Sequence, residues 1–191
     1  HRVLELTDFT ALPDSPKGWE QSMARMVEQS RLALQQKDCI SAEKLFQFGE
    51  SLLAKRMAKA AREGRLRKEQ AFFLGVPAGE VNRAVRSGSA GEGLREAGIH
   101  DEGNPRSEIS EELVLIQGII DAFFEEEDGA VLLDYKTDRV RNGQELADKY
   151  HTQMRYYTKA IEQALGKKVK EVILYSFCLG KEIFLHEMSD N

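Results

Sequence analysis

Two apolar runs, Leu113 to Glu126 and Ala130 to Lys136, flank Asp128-Gly129 and constrain this chain more than any other stretch. An Asp-Gly pair between such runs is a strong β-hairpin signal, because both turn positions must accept a positive φ. A two-residue turn there sets Asp121 opposite Lys136 and Phe123 opposite Asp134. Paired residues share a face, as do residues two apart on a strand, so Asp121, Asp134 and Lys136 point the same way. Two carboxylates and an ammonium set among Ile119, Ile120, Val131, Leu132 and Leu133 are expensive to bury unless something holds them. A divalent cation resolves the repulsion, and Mg²⁺ suits one or two carboxylates completed by water and phosphate oxygens. Lys136 is placed to hold an attacking water and to stabilise charge growing on phosphorus.

The first third reads as helical. Trp19, Met23, Met26, Val27, Ser30 and Leu34 recur at helical spacing, and a second helix is expected from Ser41, as N-cap, through Leu45, Phe48, Leu52 and Leu53 to Gly64. Residues 65–76 read as a strand closed by Pro77, and 86–112, rich in Gly, Ser and charge, as a mobile surface loop. Asn142 caps an expected helix from Gln144 to Leu165 that ends at Gly166. Val169 to Cys178 and Glu182 to Met188 form a second hairpin. The order predicts an α/β layer fold, with a helical segment over 1–64 and a core over 65–191 in one domain.

No stretch reaches the roughly 18 to 20 apolar residues of a membrane span. Cys39 and Cys178 sit in no CxxC or His pairing, so neither a zinc site nor a disulfide framework is suggested, and a reducing cytoplasm fits. The net charge of -5 speaks against a general nucleic-acid coat, though an enzyme whose site is built from carboxylates can be acidic overall. The start, His1-Arg2-Val3-Leu4-Glu5, lacks both an initiator Met and the order of a secretion signal, which leads us to expect a piece of a longer chain.

Three segments, Gly118-Ile119-Ile120-Asp121, Asp134-Tyr135-Lys136-Thr137-Asp138 and Gln153-Met154-Arg155-Tyr156-Tyr157, stand in the order found in the RecB-type branch of the PD-(D/E)XK nucleases, which this chain resembles. Arg67-Lys68-Glu69-Gln70-Ala71-Phe72-Phe73-Leu74-Gly75 is similar to the strand that the family places upstream, and His1-Arg2-Val3-Leu4-Glu5 to the helix bearing its metal-binding histidine. The resemblance covers nearly the whole chain and is greatest to the nuclease domains of AddA-type helicase-nucleases. It implies a restriction-endonuclease-like core, a mixed β-sheet flanked by helices. It further implies metal ligation by His1, Asp121 and Asp134, Lys136 as the catalytic lysine, Gln153 and Tyr157 supporting the site or the DNA, and Glu69 near the site. The implied cofactor is Mg²⁺, with Mn²⁺ accepted, and ATP belongs to absent helicase domains. The implied partners are single-stranded DNA, those helicase domains and an AddB-type subunit, in double-strand break repair and recombination. The alternative is a catalytically silent DNA-binding or scaffolding module, which the intact Asp121, Asp134 and Lys136 disfavour.

Weaker candidates accompany these. The basic run that includes Arg62, Arg65, Arg67 and Lys68 either tracks phosphates or is a solvated helix face. Tyr135, Tyr150 and Tyr156 either stack on bases or pack in the core. His151 flanks the site, while His100 and His186 read as surface residues. Ser176 and Cys178 lack the matching His and acid of a nucleophilic site.

Overall fold

A computed structural model describes residues 1–80 and 113–185. Five helices precede the first strand: α1 (Arg2–Leu6), α2 (Pro16–Glu28), α3 (Leu34–Asp38), α4 (Ala42–Glu50) and α5 (Leu52–Arg62). Strands β1 (Leu66–Pro77), β2 (Leu113–Glu126) and β3 (Gly129–Lys136) follow, then α6 (Gly143–Leu165), β4 (Val169–Ser176) and β5 (Lys181–Phe184). The sheet runs β1-β2-β3-β4-β5, antiparallel throughout except where β3 and β4 pair in parallel. Parallel neighbours need a long crossover, and α6 supplies it.

Both faces of the sheet are covered. Ala122, Phe124, Val131, Leu133, Tyr135, Ile173 and Tyr175 pack under the N-terminal helices against Trp19, Phe48 and Met57. Ile120, Phe123, Leu132, Val172 and Leu174 pack on the other side against Leu146, Met154, Tyr157 and Ile161 of α6. Every residue of β3 is buried, as expected of a strand covered on both faces.

Local chemistry explains the element ends. Ser41 accepts a hydrogen bond from the Lys44 N–H at the start of α4, and Asn142 does the same for Glu145 at the start of α6. Gly166 closes α6 at φ 64°, the left-handed value a C-terminal glycine supplies without strain. The single helix expected from Ser41 to Gly64 is two helices. Ser51 adopts extended backbone (ψ 154°), its N–H bonds back to Phe48, and its hydroxyl caps α5 by accepting from Ala54 N–H. Leu34 likewise leaves the α2 stripe and opens α3, more than half exposed.

The central hairpin is confirmed, with its turn displaced. Glu126 pairs with Gly129, so Glu127 and Asp128 form the turn and Gly129 is the first residue of β3. A Cβ on Gly129 would lie 2.9 Å from the Lys168 carbonyl oxygen, so close approach of another backbone, together with φ 154°, is what requires glycine. The expected pairing of Asp121 with Lys136 is therefore two residues out of register. The last ladder pair toward the site is Ala122 with Leu133, and the same register carries Asp121 to Asp134. A shift of two preserves the face, so the clustering of the three residues survives. The second hairpin begins at Val169 as expected, and its second strand begins at Lys181, one residue earlier than expected. The loop expected over 86–112, His100 and His186 lie outside the described residues.

Candidate active site

The site forms where regular pairing stops. Beyond Ala122 and Leu133 the β2 and β3 backbones part, and the Asp121 carboxylate fills the gap by accepting a 2.8 Å hydrogen bond from the Tyr135 N–H. The β1–β2 ladder skips one pair at the same level, between Lys68–Ala122 and Gln70–Ile120, and the skipped residue Glu69 has φ 49°. Ala122 faces the N-terminal helices while Ile120 faces α6, so the strand changes sides here. Glu69, Asp121 and Asp134 thus occupy one row across three strands. A non-glycine residue at positive φ stores strain that other contacts must offset.

Asp134 and Lys136, two apart on β3, are 3% and 6% exposed, and Asp134 Oδ2 lies 2.7 Å from Lys136 Nζ. That contact is off the axis of a hydrogen bond, which leaves Asp134 Oδ2 buried without an aligned donor. Burial, reinforced by the Asp121 charge, pushes the Asp134 carboxyl up to about 7. Burial and the same neighbour also raise Glu69. Lys136 Nζ donates to Gln153 Oε1 at 3.3 Å, and Gln153 Nε2 donates to the Tyr157 hydroxyl at 2.9 Å. The i, i+4 spacing on α6 makes this relay possible. Lys136 Nζ also sits 3.5 Å above the Tyr150 ring, whose hydroxyl donates to Asp138. The lysine is thus boxed by an anion, an amide oxygen and a π face.

His1 meets this cluster from α1. Its Nδ1 is 3.5 Å from Asp121 Oδ1, and the hydrogen bond to Asp121 outweighs desolvation to raise the imidazole pKa. Lys68 fixes the approach, because its Nζ donates to the carbonyls of Leu4, Glu5 and Thr7 at 3.3, 2.7 and 2.6 Å. The Leu4 carbonyl also accepts from the Thr7 N–H, so at the end of α1 the lysine chiefly serves the carbonyls of Glu5 and Thr7, which a cation satisfies well. His1, Asp121, Asp134, Lys136, Gln153 and Tyr157 all line one cleft of about 520 Å³, with Phe72, Phe73 and Ile119 among its apolar walls. Among the described residues, no three His, Cys, Asp or Glu side chains are already arranged to hold a metal ion.

Other sequence candidates are placed elsewhere. Arg65 pairs with Glu63, Arg67 donates to the Gly64 and Leu66 carbonyls, and Lys68 is committed to α1. Arg62 sits in the last turn of α5, and none of these four lines the cleft. Tyr135 and Tyr156 are core residues, at 3% and 1% exposure, and Tyr150 faces Lys136. His151 is exposed on α6 outside the cleft lining. Sequence reasoning missed the clamp made by Lys68 and the support that Asp138 gives Tyr150. Asp138 was legible as a nearby acid, whereas the Lys68 contact spans more than 60 residues and left no local signal.

Residues 1–186 match the sequence profile of the PD-(D/E)XK nuclease superfamily. The chain belongs to this superfamily. It is 41% identical, over 96% of its length, to an ATP-dependent helicase/nuclease subunit from Lachnoclostridium phytofermentans, and 38% identical over 84% to the protein of that name from Clostridium novyi. A Clostridium botulinum protein of the same name is 32% identical over 86% of the chain. The chain spans 14%, 11% and 11% of these relatives. The five-stranded mixed sheet between helical layers is the PD-(D/E)XK fold. Nucleases of this superfamily generally use divalent metal ions. No helix among the described residues is long and apolar enough to cross a membrane.

Proposed function

We propose that this chain is a metal-dependent deoxyribonuclease module that hydrolyses phosphodiester bonds of single-stranded DNA. The observation that carries the reading is the convergence of Asp121, Asp134 and Lys136 in one cleft with Gln153 and Tyr157 behind the lysine. The donor set suits Mg²⁺ or Mn²⁺: Asp134 presents a buried oxygen lacking an aligned donor, and Asp121 lies in the same row. Those two aspartates would hold the cation. His1 would join by turning its imidazole from the Asp121 carboxylate, a ligand that favours Mn²⁺ over Mg²⁺. When bound, the cation supplies Lewis-acid polarisation of the scissile phosphodiester.

The chain's own groups do the rest. Lys136 Nζ, aimed by Gln153 Oε1, holds the incoming water and opposes negative charge as it develops on the phosphoryl oxygens. Tyr157 fixes the Gln153 amide so that its oxygen, not its nitrogen, faces the lysine. Tyr150 covers Lys136 and excludes bulk solvent. Glu69, outside the cleft lining but level with Asp121 on the neighbouring strand, acts near the cation through its charge.

Relatives that carry the helicase/nuclease name and extend far beyond this region support a setting within a longer polypeptide. There, one domain spanning residues 1–191 would receive strand unwound by an ATP-driven motor, beside an AddB-type subunit, during cytoplasmic double-strand break repair. Two exposed, unbridged cysteines fit a reducing compartment. Effective concentration from a motor holding the strand would compensate for weak intrinsic affinity. The test is cleavage of end-labelled single strand and blunt duplex with Mg²⁺, Mn²⁺ or EDTA. Cation-dependent cutting that prefers the single strand supports the reading, and DNA binding with no cutting under any cation would favour a silent scaffold.

A further inference from the structure

His1 borders two cavities. Besides the cleft with Asp121 and Asp134, it lines a second one of about 530 Å³ between α1, the start of α4 and the segments that follow β3 and β4. This volume lies within the roughly 300–1,000 Å³ of small-molecule sites. Leu4, Leu45 and Phe177 give it an apolar wall, and Lys44 and Arg139 bring cations to it. In a chain of net charge -5, no Asp or Glu among the described residues lines it. Lys44 and Arg139 are exposed, and neither side chain has an ion-pair partner among the described residues. The basic run near residue 62 differs, because Arg65 there shares a cavity with Glu63, Glu125, Glu126 and Asp128.

We propose that this second cavity is a nucleotide subsite. It takes the nucleotide next to the scissile phosphodiester, with the base against Leu4, Leu45 and Phe177 and the adjoining phosphate on Lys44 and Arg139. The chemistry matches on both counts, since a nucleotide joins a flat, weakly polar ring to an anion, and the cavity joins an apolar wall to two exposed cations. Its shared border with the cleft at His1 lets one strand run through both. The inference rests on the nuclease reading above, and its test separates the two.

Cys39 and Cys178, the only cysteines of the chain, are exposed and line this cavity, which makes them built-in reporters. Alkylation of each thiol by iodoacetamide would be followed in EDTA with increasing amounts of a short single-stranded oligonucleotide, whose binding is read in parallel by fluorescence anisotropy. Both thiols should become protected in proportion to the bound fraction. Lys44→Gln and Arg139→Gln should each lower the slope of log affinity against log salt by about 0.7, the share of one phosphate contact on a single strand. The double variant, at matched occupancy, should lose the protection. A strand that binds while both thiols react at the free rate would overturn the subsite and leave the nuclease reading standing. If no strand bound and none was cut with any cation, both would fall.

Discussion

At the scale of single residues, Asp134 has the most demanding environment. Burial and the neighbouring Asp121 charge push its carboxyl up to about 7 from an ordinary 3.8. A carboxyl raised on folding confers stability that is complete below its unfolded value and is lost as pH rises through its folded one. Without divalent cations, Asp134→Asn should therefore unfold at a higher temperature than the parent at pH 8, with the advantage shrinking toward pH 4. The lost attraction to Lys136 acts in the opposite sense, and burial together with repulsion from Asp121 outweighs it. Adding Mn²⁺ should raise the melting temperature of the parent and leave that of the variant unchanged. Thermal unfolding at several pH values, with EDTA or Mn²⁺, checks both statements.

Lys68 supports a second prediction at this scale. Lys68→Met takes their lysine donor from the Glu5 and Thr7 carbonyls at the end of α1, while Leu4 keeps the Thr7 N–H, and should cost about 2 kcal/mol. It should also lower cleavage by releasing His1 from Asp121. If Lys68 acts through the histidine, Lys68→Met and His1→Ala together should be no worse in turnover than His1→Ala alone. A fully additive loss would show that Lys68 affects the site by another route.

At the scale of elements, much is legible in the sequence because caps and strand periodicity are local. Asn142 and Gly166 bound α6, Ser41 opens α4, and the apolar runs mark β2 and β3. The differences arise where tertiary contacts decide. Gly129 has the sequence signature of a turn residue, but the nearby Lys168 carbonyl requires glycine at that point of β3, which moves the turn to Glu127-Asp128. Ser51 is a residue type that caps helices, but it lies inside a stretch of helical spacing, and that its hydroxyl caps a new helix is seen only in the structure. The candidate aspartates and lysine are still grouped correctly because an even register shift keeps side chains on their face. The cavity with Lys44 and Arg139 leaves no trace in the sequence, since its walls come from elements far apart along the chain.

Gly118 gives the element-scale prediction. A Cβ there would lie 2.8 Å from Phe72 Cε1 and 3.6 Å from Tyr157 Cε1. Phe72 and Tyr157 form an edge contact at 5.2 Å, and Tyr157 fixes Gln153. Gly118→Ala should thus destabilise the chain by about 1–3 kcal/mol, the usual range for overpacking. It should lower turnover through the Tyr157–Gln153–Lys136 relay more than it weakens DNA affinity. Denaturant titration and steady-state kinetics separate the two effects.

At the scale of the molecule, two helical layers grip one sheet, and the grip has an ionic component on the N-terminal side. Arg56 of α5 donates to Glu126 of β2 and Glu171 of β4, so one guanidinium ties the helical layer to both sides of β3. The guanidinium of Arg56 lowers the Glu126 carboxyl to about 2 from 4.5. Its contribution to stability is present above pH 4.5 and is lost as pH falls toward 2. Arg56→Met should remove about 2 kcal/mol at neutral pH and flatten the acid limb of the stability curve over that window. Urea melts between pH 2 and 7 measure this directly.

The same architecture places the cleft where β2 and β3 part, so the proposed chemistry would depend on a lysine held by α6 and two carboxylates held by the sheet. The most direct measurement is single-turnover cleavage of a labelled single strand by Lys136→Gln, with Mn²⁺ and DNA binding measured on the same sample. If Lys136 acts at the transition state, the rate falls by orders of magnitude while both affinities stay near those of the parent. A variant that cuts at the parental rate, or whose only defect is weaker DNA binding, would contradict the assignment of this cleft as the hydrolytic centre.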